Sequence, residues 1–294
     1  MPSFSSALPI IETEAELAVF LRISEFELKR FCLRSEKFYH SFERAKKSGH
    51  GTRKICAPSE ELKQLQRRIK KEILDRVELH QSCTGYRPGM SIVTNASIHV
   101  GQRFVLNMDI CDFFQSISCA RVAGLFVSLG YPEEVAILLS RLCSYRNSIP
   151  QGAPSSPSIA NIICHKLDRR LFGLAQARGL RYSRYCDDIT ISGDSYLNSK
   201  LQELLKTIIT GEGFAINEEK TRLLSRRSCQ TVTGLTVNDK VNVPRSRRRI
   251  LRAAMHKGIP EGWPYDGKRN HLNGLSSYVN MVKTVARQIQ LRAK

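Results

Sequence analysis

The sequence predicts an α+β fold built on an antiparallel sheet flanked by helices, and three observations predict it. β-type runs alternate with helix-type runs, but not in the regular series that a doubly wound parallel sheet requires. "RYSRYCDDITISG" (181–193) reads as a hairpin, because Asp is depleted in strands and welcome in turns. "RFVLNMDICDFF" (103–114) alternates like a strand up to Asp109 and then changes character. A chain of 294 residues can bury one large core or two to three closely packed ones.

The elements follow in order. Residues 11–45 are helix-prone, with Leu17, Phe20, Leu21, Phe26, Leu28 and Leu33 at mixed three-four spacing. Gly and His at 46–51 break that pattern, and "RKICAPS" is a short strand ending at a Pro. "SEELKQLQRRIKKEILDRV" (59–77) is an amphipathic helix capped by Ser59, with Leu62, Leu65, Ile69, Ile73 and Val77 on its apolar stripe. "SCTGYRPGMSIVTNASIHVG" (82–101) reads as a Gly- and Pro-punctuated loop. Residues 117–145 are helical, and 148–179 run from a loop into a long helix. After the 181–193 hairpin comes a helix around 197–211, then short strands in "GFAINEEKTRLLSR" and "QTVTGLTVNDKVNVP". The last 50 residues are basic and helical, interrupted at "GIPEGWPYDGKRN".

Charge narrows the function. There are 46 Lys and Arg against 27 Asp and Glu, a net +19. Residues 220–294 hold 17 of those cations and only 3 acids. A localised surplus is the footprint of a phosphate backbone, so nucleic acid is the first candidate partner; a basic protein with no polyanion is the alternative. The nine Cys include no C-x-x-C pair, so zinc spacing is absent. Reduced thiols, an acidic start and no apolar run near the ~20 residues needed to cross a bilayer predict a cytoplasmic protein without a membrane anchor.

Against this basic background three acids stand out: Asp109 at a strand end, and Asp187 and Asp188 at a hairpin tip. If strand 103–110 lies beside the hairpin, the three converge at one edge of a sheet. Clustered carboxylates repel unless a cation neutralises them. Mg²⁺ suits such hard oxygens and binds through one or two carboxylates plus substrate phosphates. Two such ions about 4 Å apart stabilise the attacking and leaving oxygens of phosphoryl transfer. Taken alone, Asp-Asp in a turn would be simple polarity; the order of the stretches around it argues otherwise.

"NMDICDFF", "IPQGAPSSPSIAN", "YCDD", "GFAINEEKT" and "VTGLTVN" together resemble the ordered motifs of the reverse transcriptase palm, over roughly residues 50–245. "NASIH" (95–99) and "VTG" (232–234) resemble signatures of retron reverse transcriptases. Cys186 departs from the family, which more often has Ala there. The resemblance implies a right-hand polymerase architecture: N-terminal helices and fingers over 1–100, a palm over 101–235 with a helical fingers insertion around 117–150, and a short basic helical thumb over 236–294. It implies an RNA-directed DNA polymerase in a bacterial cytoplasm. In retrons a dedicated structured non-coding RNA serves as primer and template, priming starts at an internal 2′-OH, and the product is a branched RNA–DNA hybrid (msDNA). Phage defence with a separate effector protein is implied too. Another bacterial reverse transcriptase, of the group II intron or diversity-generating kind, and a catalytically silent RNA-binding scaffold are the alternatives.

Carried over residue by residue, the resemblance makes Asp109, Asp187 and Asp188 the metal-binding catalytic acids, for Mg²⁺ or Mn²⁺. Asp112 matches a less essential acidic position. Lys220 in "NEEKT" stands where a Lys serves the leaving pyrophosphate, as a general acid; a surface ion pair with the adjoining Glu residues is its alternative. Phe114 falls at the gate that crowds a ribose 2′-OH and selects dNTPs, where composition alone would read a core aromatic. Gln151 and Gly152 match the loop against nucleotide and template. Arg87 in "GYRPG" resembles a triphosphate clamp, with Lys54 a lesser candidate. Arg245, Arg247, Arg248, Arg249 and Arg252 would track duplex or grip the cognate RNA. Trp263 and Tyr265 stack on bases or anchor a core. Asn95 and His99 match the retron signature without an assignable chemistry, a buried His being the alternative for the latter.

Overall fold

The computed structural model describes residues 7–45, 52–257 and 268–292. The chain divides into two compact units. The first holds residues 1–80, 111–169 and 211–215; the second holds 81–110, 170–210 and 216–294.

In the first unit, α1 (Glu14–Leu21) and α2 (Glu25–Leu33) are short and well capped. Ser24 and Glu27 form a reciprocal capping box that satisfies two otherwise orphaned N–H groups. Leu17, Leu21 and Leu28 are buried as expected, but Phe26 and Leu33 lie 77% and 74% exposed, so the real apolar stripe is narrower than the spacing predicts. The strands β1 (Tyr39–Ala45) and β2 (Thr52–Pro58) pair antiparallel from Tyr39↔Pro58 to Ala45↔Thr52. This corrects the helix expected over 39–45; pairing with a partner strand overrides a weak local propensity. Helix α3 (Glu60–Glu72) starts where Ser59 caps it and buries Leu62, Leu65 and Ile69. Its Gln66 is fully buried and donates to the Tyr39 hydroxyl (2.7 Å) and the Leu142 carbonyl (2.8 Å), joining the hairpin to the helical layer.

In the second unit, helix α4 (Ile92–Ser97) corrects the loop expected over 82–101. Ser91 caps it, and Val93, Asn95 and Ala96 are buried. Six residues are fewer than two turns, too short for a periodicity to declare itself. Strand β3 (Phe104–Ile110) follows. Back in the first unit, the helical stretch expected over 117–145 is two helices, α5 (Cys119–Ser128) and α6 (Glu133–Cys143). Gly130, at φ +100°, and Pro132 break it. Then come α7 (Ser156–Ile163) and α8 (His165–Ala177).

The rest of the second unit is β4 (Arg181–Tyr185), β5 (Asp188–Gly193), α9 (Ser199–Gly211), β6 (Ile216–Ser225), β7 (Thr231–Val232), β8 (Leu235–Thr236), α10 (Arg245–Lys257) and α11 (Lys268–Arg292). Its sheet has the order β4-β5-β3-β6, with every pair antiparallel. The strand carrying Asp109 is therefore a central one. Helices α4, α10 and α11 share one core with the β7–β8 hairpin, built from Val93, Ala96, Val105, Leu235, Leu251 and Val282 among others. Trp263 and Tyr265 lie outside the described residues.

Candidate active site

Strand register places the acids. Asp109 of β3 sits directly opposite Asp188 of β5. Residues directly opposite in antiparallel strands project from the same face about 5 Å apart, so these carboxylates share one end of one face. Asp187 is the second residue of the two-residue turn joining Tyr185 to Asp188. Positive φ occurs at Cys186 (60°) and not at Asp187, the pattern of a II′ hairpin, whose first turn position is normally Gly. A non-glycine there is strained, and strain of this kind concentrates at functional sites.

The turn is held from beneath. Arg184 is fully buried and donates from its Nη1 to the Cys186 carbonyl (3.0 Å). Residues 82–85 run alongside β4, with backbone bonds from Arg184 N–H to Ser82 O (2.9 Å) and from Thr84 N–H to Arg184 O (2.9 Å). Gly85 then lies so near the turn that a Cβ would stand 2.5 Å from Cys186 N and 2.8 Å from its Sγ. Neither Arg184 nor Gly85 is singled out by the sequence reading. The available signal is an Arg inside a strand of otherwise moderate polarity and a Gly before the Arg87 turn.

Lys220 arrives through an irregularity. β6 pairs with β3 as Asn107↔Arg222 and then Asp109↔Asn217, so residues 218–221 stand opposite Met108 alone. Bulges re-aim side chains beside active sites. Asn217 secures this one, its side chain accepting from Lys220 N (3.3 Å) and its carbonyl accepting from the Thr221 hydroxyl (3.0 Å). The Lys220 Nζ reaches the Asp109 Oδ2 at 2.9 Å. Its partner is thus a site carboxylate rather than Glu218, which pairs with Lys206 (2.8 Å). The hydrogen bond to Asp109 raises the Lys220 pKa above the ordinary value.

The charge balance asks for more positive charge than Lys220 supplies. Asp188 is pushed up to about 7 by desolvation, then by Asp187 and Asp109, against the pull of Lys220. Its side chain still reaches solvent, and the two like charges alone give the upward direction. Among the described residues no group of three or more His, Cys, Asp or Glu side chains, Asp109, Asp187 and Asp188 included, is gathered so as to hold a metal ion by itself. Mg²⁺ does not require one, since it takes one or two carboxylates and completes its shell with water and substrate phosphate. Two opposed carboxylates with a third at the adjoining turn fit that open donor set.

A groove of about 310 Å³ opens beside Asp188, lined by Ile92, Asn107, Tyr185, Thr190 and the β7–β8 hairpin. That hairpin turns on Thr233 and Gly234, both at positive φ (47° and 78°), as a I′ turn demands. The Thr233 hydroxyl donates to the Ile92 carbonyl (3.1 Å) at the start of α4. Asn107 donates to the Thr231 carbonyl (2.8 Å) and accepts from the Thr190 hydroxyl (3.2 Å). The "VTG" turn is therefore bonded to the helix that carries Asn95, at Ile92, and Ala96 and Val232 share one apolar core.

Asn95 and His99 have partners of their own. Asn95, fully buried, accepts through Oδ1 from the Thr84 hydroxyl (2.8 Å). His99, also fully buried, bridges Ser192 (Nδ1, 2.7 Å) on β5 and Ser183 (Nε2, 2.7 Å) on β4. Burial, with a smaller contribution from Arg181, drops its pKa to about 3, so the ring is neutral.

The other expected residues are placed unit by unit. Arg87 is half-buried in the turn after Gly85, in the second unit. Phe114, Gln151 and Gly152 belong to the first unit. Phe114 is half-buried against Phe113, with ring centroids 5.6 Å apart. The Gln151 carbonyl accepts from Cys56 N–H (2.8 Å), and Gly152, at φ +126°, lies where a Cβ would be 2.9 Å from Ile55 and 3.0 Å from the Cys56 carbonyl. Close approach does require this Gly, and the approaching group is β2. Asp112 is exposed, at φ 41°, and Lys54 is exposed on β2. On α10, Arg245, Arg247, Arg249 and Arg252 are exposed and Arg248 is half-buried, while Leu251 and Ala254 face the core.

Comparison with known proteins agrees with this geometry. Residues 45–241 match the family described as "Reverse transcriptase (RNA-dependent DNA polymerase)". The retron Ec86 reverse transcriptase of Escherichia coli is 39% identical, over 85% of this chain and 79% of its own length. The retron Mx65 reverse transcriptase of Myxococcus xanthus is 37% identical, over 94% of this chain and 69% of its own. Among solved structures, telomerase from Candida albicans, in complex with a fragment of telomeric RNA, aligns with a TM-score of 0.51 at 10% identity, over 85% of this chain and 56% of that one. That likeness supports the right-hand polymerase fold alone. Opposed carboxylates on a central strand and its hairpin, within a chain so related, make this protein a member of the reverse transcriptase family, an RNA-directed DNA polymerase of the retron type.

Proposed function

We propose that Asp109, Asp187 and Asp188 hold a pair of divalent cations, Mg²⁺ or Mn²⁺, at which a primer hydroxyl attacks the α-phosphate of a dNTP and pyrophosphate leaves. When bound, the cations would neutralise charge on the attacking and leaving oxygens. The chain's own groups supply the rest. Lys220, protonated and hydrogen-bonded to Asp109, is the proton donor to the departing pyrophosphate. Arg87 clamps the triphosphate, for which a planar guanidinium is suited. Phe114 crowds the sugar's 2′ position, and Gln151 and Gly152 lie against nucleotide and template. Arg245, Arg247, Arg248, Arg249 and Arg252 grip the phosphate backbone of the RNA or of the RNA–DNA duplex. Fingers, palm and thumb correspond to residues 1–100, 101–235 and 236–294.

The kinship with retron enzymes supports a finer reading. The template is a cognate structured non-coding RNA, the first primer is an internal 2′-OH of that RNA, and the product is branched msDNA. A role in bacterial phage defence with a separate effector protein, in the cytoplasm, follows from the same kinship.

One observation carries the catalytic reading: the cross-strand pair Asp109↔Asp188 with Lys220 on its flank. The test is labelled-dNTP incorporation on a primed RNA template with Mg²⁺. Asp188→Asn should lower the rate by at least the ~10²–10³-fold typical of removing one electrostatic stabiliser, with RNA binding retained. Normal incorporation by Asp188→Asn would refute the assignment.

A further inference from the structure

The sheet has a second end, and it is built differently. Phe104 opens β3, five residues from Asp109, and pairs with Gly193 on one side and Ser225 on the other. At about 3.4 Å per residue it stands ~17 Å from the carboxylates. There a cleft of about 600 Å³ is lined by Arg103, Phe104, Tyr196, Ser225, Arg226 and Arg227. Nothing in the polymerase chemistry uses it.

Its composition is that of a nucleotide platform. Tyr196 is 64% exposed and meets Phe104 edge-on, with centroids 5.3 Å apart and planes at 82°. The edge-to-face contact braces the tyrosine, most of which stays open to solvent. The Arg103 guanidinium lies 5.9 Å from the Phe104 centroid. Of the two acids nearby, Asp194 accepts from the Arg103 backbone N–H (3.2 Å), and Asp239 pairs with the cleft's own Arg226 (3.0 Å). Among the described residues, the Arg103 and Arg227 guanidiniums have no ion pair. Two guanidiniums without an ion pair and an exposed aromatic ring, lining one cleft of a size that holds small ligands, suit a base for stacking and the phosphates on either side of it.

We propose that this cleft is a second nucleic-acid site, which takes an unpaired nucleotide by stacking on Tyr196 and holds its flanking phosphates with Arg103 and Arg227. A duplex hides its base faces, so the ligand is single-stranded. The chemistry is common to an unpaired segment of RNA and to displaced or newly made DNA. The inference rests on nucleic acid being this enzyme's substrate, and not on where the polymerase chemistry occurs.

The experiment uses the full chain and unprimed eight-nucleotide RNA and DNA oligomers carrying 2-aminopurine, whose fluorescence falls on stacking. Tyr196→Ala combined with Arg227→Gln should weaken binding by about ten- to a hundred-fold, as expected for removing one stacked base and one phosphate partner. It should also abolish the quenching and reduce the slope of log K against log salt by ~0.7. Tyr196→Phe should behave as wild type. Extension of a generic primed template should be unaffected in all three proteins. Quenching by RNA alone assigns the site to the cognate RNA, and quenching by DNA alone to the product. Unchanged binding, quenching and salt slope in the double variant overturn the proposal. Repeating the titration with Asp188→Asn separates the two readings, because a failed polymerase assignment leaves this binding untouched.

Discussion

His99 holds the two strands of the carboxylate hairpin through two short hydrogen bonds to hydroxyls, in a fully buried position. A histidine whose folded pKa is depressed stays neutral while the unfolded chain takes up a proton. Below the unfolded value of about 6.5 the unfolded state therefore binds more protons, and stability falls with pH until about 3. The expected slope is ~1.4 kcal/mol per pH unit within that window. Denaturant titrations of wild type and His99→Asn at pH 4.5–7.5 check it: the difference in stability between the two should shrink as pH falls. Gly85 makes a second prediction at this scale. Gly85→Ala must push the Cys186 backbone aside, at a cost of roughly 1–3 kcal/mol, and carry Asp187 with it. Incorporation should drop at least tenfold, whereas Gly124→Ala, with nothing within 4 Å of its Cβ, should leave activity intact. Equal activity in both would show that the hairpin is not held against residue 85.

At the scale of elements, the β6 bulge is the device that converts a strand lysine into a site lysine. Regular pairing would leave residues 218–221 in register with β3; the three-residue slip between Asn107 and Asp109 turns Lys220 inward to Asp109. Lys220→Met keeps the length of the side chain and removes the proton. Single-turnover incorporation should slow by about 10²-fold or more, as general-acid loss does, with little change in thermal midpoint. Similar unfolding but undiminished turnover would assign Lys220 to packing. The pairing of α4 with the β7–β8 turn belongs to this scale too. The Thr233 hydroxyl bonds to the Ile92 carbonyl at the start of α4, and Ala96 and Val232 share one apolar core, so the helix that carries Asn95 and the "VTG" turn pack together.

At the scale of the whole molecule, a net charge of +19 predicts affinity for RNA that falls steeply with salt. The exposed side of α10 should carry part of that slope. Replacing Arg245, Arg249 and Arg252 together by Gln should reduce it by roughly two units, at ~0.7 for each phosphate no longer neutralised, as measured by fluorescence anisotropy across a series of salt concentrations. The helix should remain folded, because Leu251 and Ala254 anchor its other side.

The sequence by itself determined the family, the antiparallel α+β plan, the strand end at Asp109 and the hairpin tip at Asp187 and Asp188. These are local matters: turn chemistry, period-two alternation and motif order lie within a few consecutive residues. It also identified Lys220, while leaving a surface pair with its neighbouring glutamates open. Tertiary structure alone decided that Asp109 faces Asp188, that Lys220 bonds to Asp109, that Arg184 and Gly85 support the turn, and that His99 is a neutral brace. It also overruled local propensity twice, making a strand of residues 39–45 and a helix of 92–97. Each of these depends on strand register, a bulge or burial, and such long-range pairings leave no periodic trace in the residues that make them.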